Sequence, residues 1–438
     1  MVFDLLYRVY YGFLNPPTTK KKDDAIRFGL LGASNIAPVA LIAPAISHPE
    51  VIVAAVAARD RTRAEKYAKK HNIPIVHATY EDLLQDPTID AIYIALPDSA
   101  HYEWALRSLA AKKHVLLEKP CCSNATEARS LFTHPLVTSP GAPVLLEAFH
   151  YRFHPAWQTF LDIIHHAPQA GTIKSVSAEQ YFPKYAFGAT DIRWQYRLSG
   201  GCMMDFGTYP MNVLRQVLRE EPREDALSAE ARRVGFAGLP FREQVDEAMR
   251  ASYVTTTGAV GSMVSDLRFA GGWWPFLPRA WTDGVLPGFA WPKCVVECGE
   301  KEIRSAVGFE APGGERCFVS RKVVLWNHLM PSIYHRIDVE DVYSVRVGEE
   351  VVRTWKDARF VQAYTFPTGD RRVGTSGGGK EWWSSYFYQL EEFVNKVKGR
   401  EGSGVWIDGE DSIKQMEAID LVYKKAGMQT RPSSGFQL

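Results

Sequence analysis

The chain has no apolar run long enough to cross a bilayer as a helix, which takes about 20 residues. It has no Cys-x-x-Cys pair among its six cysteines and no histidine at finger-like spacing, so no zinc site is written into it. It also lacks a charge surplus: 51 basic and 50 acidic side chains leave a formal net charge of +1. Nucleic acid and acidic membrane surfaces therefore have no electrostatic claim on it. The opening MVFDLLYRVYYGFLNPP lacks a basic leader region and a small-residue cleavage site, so no secretory signal is expected. Internal repeats are absent too. These absences predict a cytoplasmic protein with free buried thiols and no metal. Its partners would be small molecules or further copies of the chain.

What is present is a long chain with core to bury. Its 438 residues, 46% hydrophobic and 23% charged, suit two domains. Residues 1–25 read as an amphipathic arm followed by the polar linker NPPTTKKKDD, with docking on the body of the protein or a dimer contact as the arm's expected use and interfacial membrane contact as the lesser alternative. Residues 26–150 alternate short aliphatic runs (IRFGLL, VIVAAVA, AIYIAL, HVLLE, VLLEAF) with helical periods. Aliphatic runs without polar alternation mark strands buried on both faces, the signature of a parallel sheet. The fold class is therefore α/β, with an N-terminal doubly wound dinucleotide-binding domain of the Rossmann kind. Residues 151–438 lose that rhythm. Strand-like segments such as TIKSVSAEQYF, CVVEC and KVVLW predict an α+β domain on a mixed, mostly antiparallel sheet. The Trp- and Pro-rich stretch near 272–292 predicts an irregular loop, and two helices close the chain.

Five motifs fall where ligands bind in such a sheet, at the carboxyl ends of strands. In GLLGASNIA, Gly32 suits the tight turn after the first strand and Ala37 close packing. Ser34 stands where a second glycine is usual, so its hydroxyl, with the amides of Asn35 and Ile36, would meet pyrophosphate. At the tip of the second strand Arg59 replaces the acidic residue that holds ribose hydroxyls. A guanidinium there grips a 2′-phosphate, which favours NADP over NAD. IALPDSAH places Pro97 and Asp98 at the edge of the fourth strand, with His101 just beyond. VLLEKP ends the fifth strand on Glu118, Lys119 and Pro120, and proline keeps Lys119 extended. In SGGCMMDFGTYPMN, Asp205 and Tyr209 lie four apart, on one face if the segment is helical. A phenol near a lysine is a workable acid/base, because the cation favours the phenolate. Each has a plainer reading: Asp205 as a helix cap, Tyr209 as a core aromatic, His101 as a packing residue. Arg152 and Arg193 are candidate substrate ligands or buried structural arginines.

These residues together resemble the Gfo/Idh/MocA oxidoreductases over about residues 26–215 and 384–431. Glu118-Lys119-Pro120 is the most specific mark. EAFHYRFHP and DIRWQYRLSGGCMMDFGTY resemble the branch of dimeric dihydrodiol dehydrogenase and NADP-dependent D-xylose dehydrogenase. The resemblance implies Lys119 and Tyr209 as catalytic pair and an open mixed sheet whose face forms a homodimer; beside them Asp205 is expected to orient substrate or Tyr209. It also implies NADP-dependent hydride transfer to or from a sugar or a cyclic trans-diol. Inositol-like polyols, or a non-catalytic dinucleotide-binding regulator of the same fold, remain open at this point.

Overall fold

The computed structural model describes residues 2–270, 290–306, 309–310, 315–374 and 377–438. Most of the 272–292 stretch lies outside them. Six parallel strands form the first sheet: β1 (Ile26–Leu31), β2 (Val51–Ala57), β3 (Ile75–Val76), β4 (Ala91–Ile94), β5 (His114–Leu117) and β6 (Leu145–Glu147). Their order is β3-β2-β1-β4-β5-β6, a doubly wound sheet whose direction of winding reverses between β1 and β4. β4 is buried along its whole length and β5 nearly so, which explains the lack of alternation in their sequences. Phe28, Leu30, Ile92 and Leu116 are fully buried. Each such side chain is worth roughly 1.5–3 kcal/mol relative to exposure.

The second sheet has eight strands in the order β16-β15-β14-β11-β7-β10-β9-β8. They are β7 (Ile173–Pro183), β8 (Leu227–Arg233), β9 (Asp246–Val254), β10 (Val260–Phe269), β11 (Lys293–Ile303), β14 (Glu315–Trp326), β15 (Arg336–Val347) and β16 (Glu350–Val361). A two-residue pair, β12 (Ser305–Ala306) and β13 (Phe309–Glu310), stands apart. Only β7 and β10 run parallel; the other neighbours are antiparallel. β14 and β15 alternate buried and half-open residues, so one face packs and the other does not.

The closing helices cross back to the first domain. Phe393 on helix Ser385–Val397 meets Phe28 of β1 at 5.6 Å between ring centres. Helix Gly409–Lys425 packs along helix Ala125–Phe132. Behind it Arg431 and Asp246, both fully buried, pair at 2.9 Å, and Arg431 Nε donates to the Gly200 carbonyl. The arm is docked as well: Arg8 donates to Glu381 at 2.8 Å and lies 3.9 Å over the Tyr364 ring. Ser384 caps helix Ser385–Val397 by accepting from the Phe387 amide at 3.1 Å. Ser384→Ala is therefore expected to cost about 1 kcal/mol, read as a lower melting temperature by calorimetry.

Candidate active site

The turn after β1 is built for close approach. Gly32 has φ +96°, and a Cβ there would meet Leu96 Cδ2 at 3.0 Å and the Ala95 carbonyl at 3.3 Å. Ser34 Oγ accepts from the Ala37 amide at 3.2 Å, starting the helical turn that leads into Pro38–Ile42. Asn35 and Ile36 are exposed, and among the described residues no protein acceptor takes their amides. Arg59, at the tip of β2, is exposed and makes no ion pair among the described residues. Arg63 reaches back from the next helix to the Ala33 carbonyl at 2.8 Å. A turn without room for a side chain, two free amides and an uncommitted guanidinium fit a dinucleotide carrying a 2′-phosphate. Asp60, one residue on, caps helix Arg61–His71.

Lys119 stands just past the end of β5 and is joined to Pro120 by a cis bond. Its ammonium donates to the Asp205 carbonyl at 2.7 Å and to Asp205 Oδ1 at 3.0 Å, and lies 4.9 Å from the centre of the Tyr209 ring. Burial alone would lower this lysine; Asp205, Glu118 and Asp98 outweigh burial and hold it above the usual value. Asp205 is half-buried, which raises it, yet Lys119 and Arg193 outweigh this and hold it below the usual carboxylate range. Arg193 bonds Asp205 through Nε and Asp191 at 3.1 Å through Nη1. Glu118 does not orient the lysine through a hydrogen bond; it accepts from the Tyr93 hydroxyl at 2.5 Å, and burial raises it.

Tyr209 lies in the first turn of helix Thr208–Leu218, just after the π-helical turn Met203–Gly207 that carries Asp205. Its hydroxyl lies 3.4 Å from His150 Nε2. Burial raises the phenol well above 10, and the Glu118 and Asp205 carboxylates add to this. The phenolate that a nearby lysine would favour is opposed here first by burial and then by the Glu118 and Asp205 carboxylates.

A crevice joins these elements. Pro97 and Asp98 wall it from the β4 edge, Arg193 and Ser199 from the second domain, with Gly201 and Asp205 at its base. Gly201 has φ +132°, and a Cβ there would collide with Arg431 and Asp246. Burial raises Asp98 above the usual carboxylate range, against the pull of the Lys119 and Arg193 charges. Two expected residues are occupied elsewhere. Arg152 is paired with Asp411, away from this crevice. His101 is buried between the carbonyls of Leu96 (3.0 Å) and Pro120 (2.9 Å), and burial lowers it to about 4. It ties the β4 and β5 edges together. Sequence reading missed His150, Tyr93, Ser385 and Tyr386, whose ring lies 4.0 Å from His150. Among the described residues no side-chain cluster could hold a metal, and no helix is long and apolar enough to cross a membrane.

Comparisons with known proteins bear on the family and the fold. A model of the oxidoreductase family with an NAD-binding Rossmann fold covers residues 26–135, and the GFO/IDH/MocA C-terminal domain covers 165–283. A trans-1,2-dihydrobenzene-1,2-diol dehydrogenase of Mus musculus is 33% identical over 359 residues, 79% of this chain and 100% of its own. A D-xylose 1-dehydrogenase (NADP(+)) of Haloferax volcanii is 35% identical over 208 residues, 48% of this chain and 62% of that one. The chain spans between 55% and 62% of the length of several curated relatives, the xylose enzyme among them. In fold it resembles a 3-ketoreductase of Actinomadura kijaniata solved with NADP and TDP-benzene. The TM-score is 0.61 at 21% identity, covering 92% of this chain and 98% of that one. With both family models matched and the mouse relative aligned over its full length, the chain belongs to the Gfo/Idh/MocA family of oxidoreductases.

Proposed function

We propose that this protein is an NADP-dependent oxidoreductase acting on a hydroxyl-bearing carbon of a sugar, such as the anomeric carbon of an aldose like D-xylose, or of a cyclic trans-diol. The observation that carries the reading is the Lys119 ammonium 4.9 Å from the Tyr209 ring centre at the carboxyl edge of the parallel sheet. Gly32, Ser34, Asn35 and Ile36 would hold the pyrophosphate and Arg59 the 2′-phosphate, while Pro97 and the strand edge at Glu118 line the path between. Bound there, NADP supplies the acceptor or donor of the hydride. The chain supplies the rest. Lys119 holds the substrate oxygen and the ribose. Tyr209 exchanges the hydroxyl proton at its Oη, giving it up when a ketone or lactone is reduced and taking it when an alcohol is oxidised. Asp205 holds Lys119 charged, and Arg193, stacked 4.1 Å over Phe187, faces the substrate from the second domain.

Purified protein mixed with NADP and a panel of aldoses, trans-diols and inositols, followed by absorbance of the reduced cofactor, tests this. Turnover with none of them, in either direction, overturns it in favour of a dinucleotide-binding regulator. Arg59→Ala is expected to weaken NADP by about 10- to 100-fold and NAD by less than about threefold, measured by titration calorimetry. The proposal includes a homodimer through the open face of the second sheet, where Val342, Val351 and Phe360 are exposed. Light scattering reads that state directly. It also includes a cytoplasmic setting, which suits six unpaired, buried cysteines.

A further inference from the structure

Tyr209 has a problem that Lys119 does not solve. To take a proton from an alcohol it must exist as phenolate. Around it stand Glu118 beyond β5, Asp205 on the π-turn, Glu147 on β6 and Tyr151, and all of them oppose that charge. The Lys119 ammonium gives two of its three hydrogens to Asp205, keeps the third for a ligand, and meets Tyr209 at its ring. The group that faces the hydroxyl is His150, with Nε2 at 3.4 Å. Its ring is 1% exposed and packs against Tyr386 at 4.0 Å. Burial and the Lys119 charge hold this histidine at about 3, so it is neutral and carries a single N–H.

Which nitrogen bears that hydrogen is decided on the other side of the ring. Nδ1 lies 2.8 Å from Ser385 Oγ, at the first turn of helix Ser385–Val397. If Ser385 donates, Nδ1 is the acceptor and Nε2 carries the hydrogen. Nε2–H then points at Tyr209 Oη. The phenol's own hydrogen is left for the substrate oxygen, and a negative charge on Oη meets a donor. With the opposite tautomer Nε2 would accept the phenol hydrogen and turn it away from the substrate.

We propose that His150 is the positioning residue of Tyr209, donating Nε2–H to its oxygen, and that Ser385 fixes the tautomer that allows it. The proposal rests on the reading of Tyr209 as the proton-exchanging group. As Tyr209 loses its proton to substrate or gains one from it, His150 keeps its own; nothing is transferred beyond Oη. The contact tightens toward the 2.7–2.9 Å typical of charge-assisted bonds when Oη is negative. Residues 150 and 385 are 235 positions apart, so this links the closing helix to the chemistry.

The test replaces residue 209 by fluorotyrosine and reads its titration by fluorine NMR, with and without NADP. His150→Ala is expected to raise the titration midpoint by about one to two pH units, since a hydrogen bond to a charged group is lost. Ser385→Ala is expected to raise it by a smaller amount, and His150→Gln, which still offers an N–H, to restore part of the shift. In the unlabelled protein the alkaline limb of the kcat profile should move the same way. kcat should fall about 10- to 100-fold while KM stays within about threefold. A midpoint within about 0.3 units of the parent in a folded His150→Ala or Ser385→Ala protein overturns the proposal. If Tyr209→Phe itself keeps full turnover, the reading of Tyr209 fails instead, which separates the two.

Discussion

Lys119→Met is expected to lower turnover about 100- to 1,000-fold. Removing one preorganised electrostatic donor from a reacting oxygen typically costs this much. Methionine keeps the volume and removes the charge. The loss should appear in kcat and in kcat/KM together, because the ammonium acts on charge that develops in the transition state. The competing view is that Lys119 merely props Asp205. Its side chain is 11% exposed and that of Asp205 21%, so the pair is largely shielded, and its loss leaves Asp205 to Arg193 alone. A purely structural lysine would show the opposite pattern: a lower melting temperature with turnover intact. Steady-state kinetics and calorimetry on one preparation separate the two.

Tyr209→Phe is expected to lower turnover about 100- to 10,000-fold while leaving NADP affinity within about twofold. The substitution removes one oxygen whose protein contact is His150 at 3.4 Å, so stability should fall by no more than about 1 kcal/mol. The pH dependence has a definite sign. The phenol is raised by burial and by neighbouring carboxylates, so in the free protein it is protonated at neutral pH and ready to act as an acid. Oxidation needs the other form. Its rate should therefore climb with pH toward the alkaline range, and that climb should be missing from the Tyr209→Phe profile.

Much of the first domain was legible because its signals are local. Strand runs such as VIVAAVA and AIYIAL cannot alternate when both faces are covered, and helix Arg61–His71 follows its Asp60 cap. The motif tips were legible for the same reason: each lies within a few residues of a strand end. The order of the second sheet was not. Its neighbours are set by pairings such as β7 with β10 and β11, more than 80 residues apart in sequence, and no local pattern encodes them.

The site itself splits along the same line. Lys119, Asp205 and Tyr209 lie together, but the two hydrogen bonds from Lys119 to Asp205 join residues 86 positions apart and leave no mark in the sequence. Arg152 looked like a ligand because its partner, Asp411, lies 259 residues away. His150 was visible in EAFHYRFHP, yet its value depends on Ser385 and Tyr209, which only the folded chain brings beside it. A histidine whose two neighbours come from distant helices carries no signature in sequence.

The most direct measurement is a crystal structure with NADP and an unreactive substrate analogue bound. The account predicts Lys119 Nζ and Tyr209 Oη on the same oxygen of the analogue, each about 3 Å away, with the nicotinamide against them. An amine still turned to Asp205 and out of reach of that oxygen, or a phenol walled off from the nicotinamide, would contradict it.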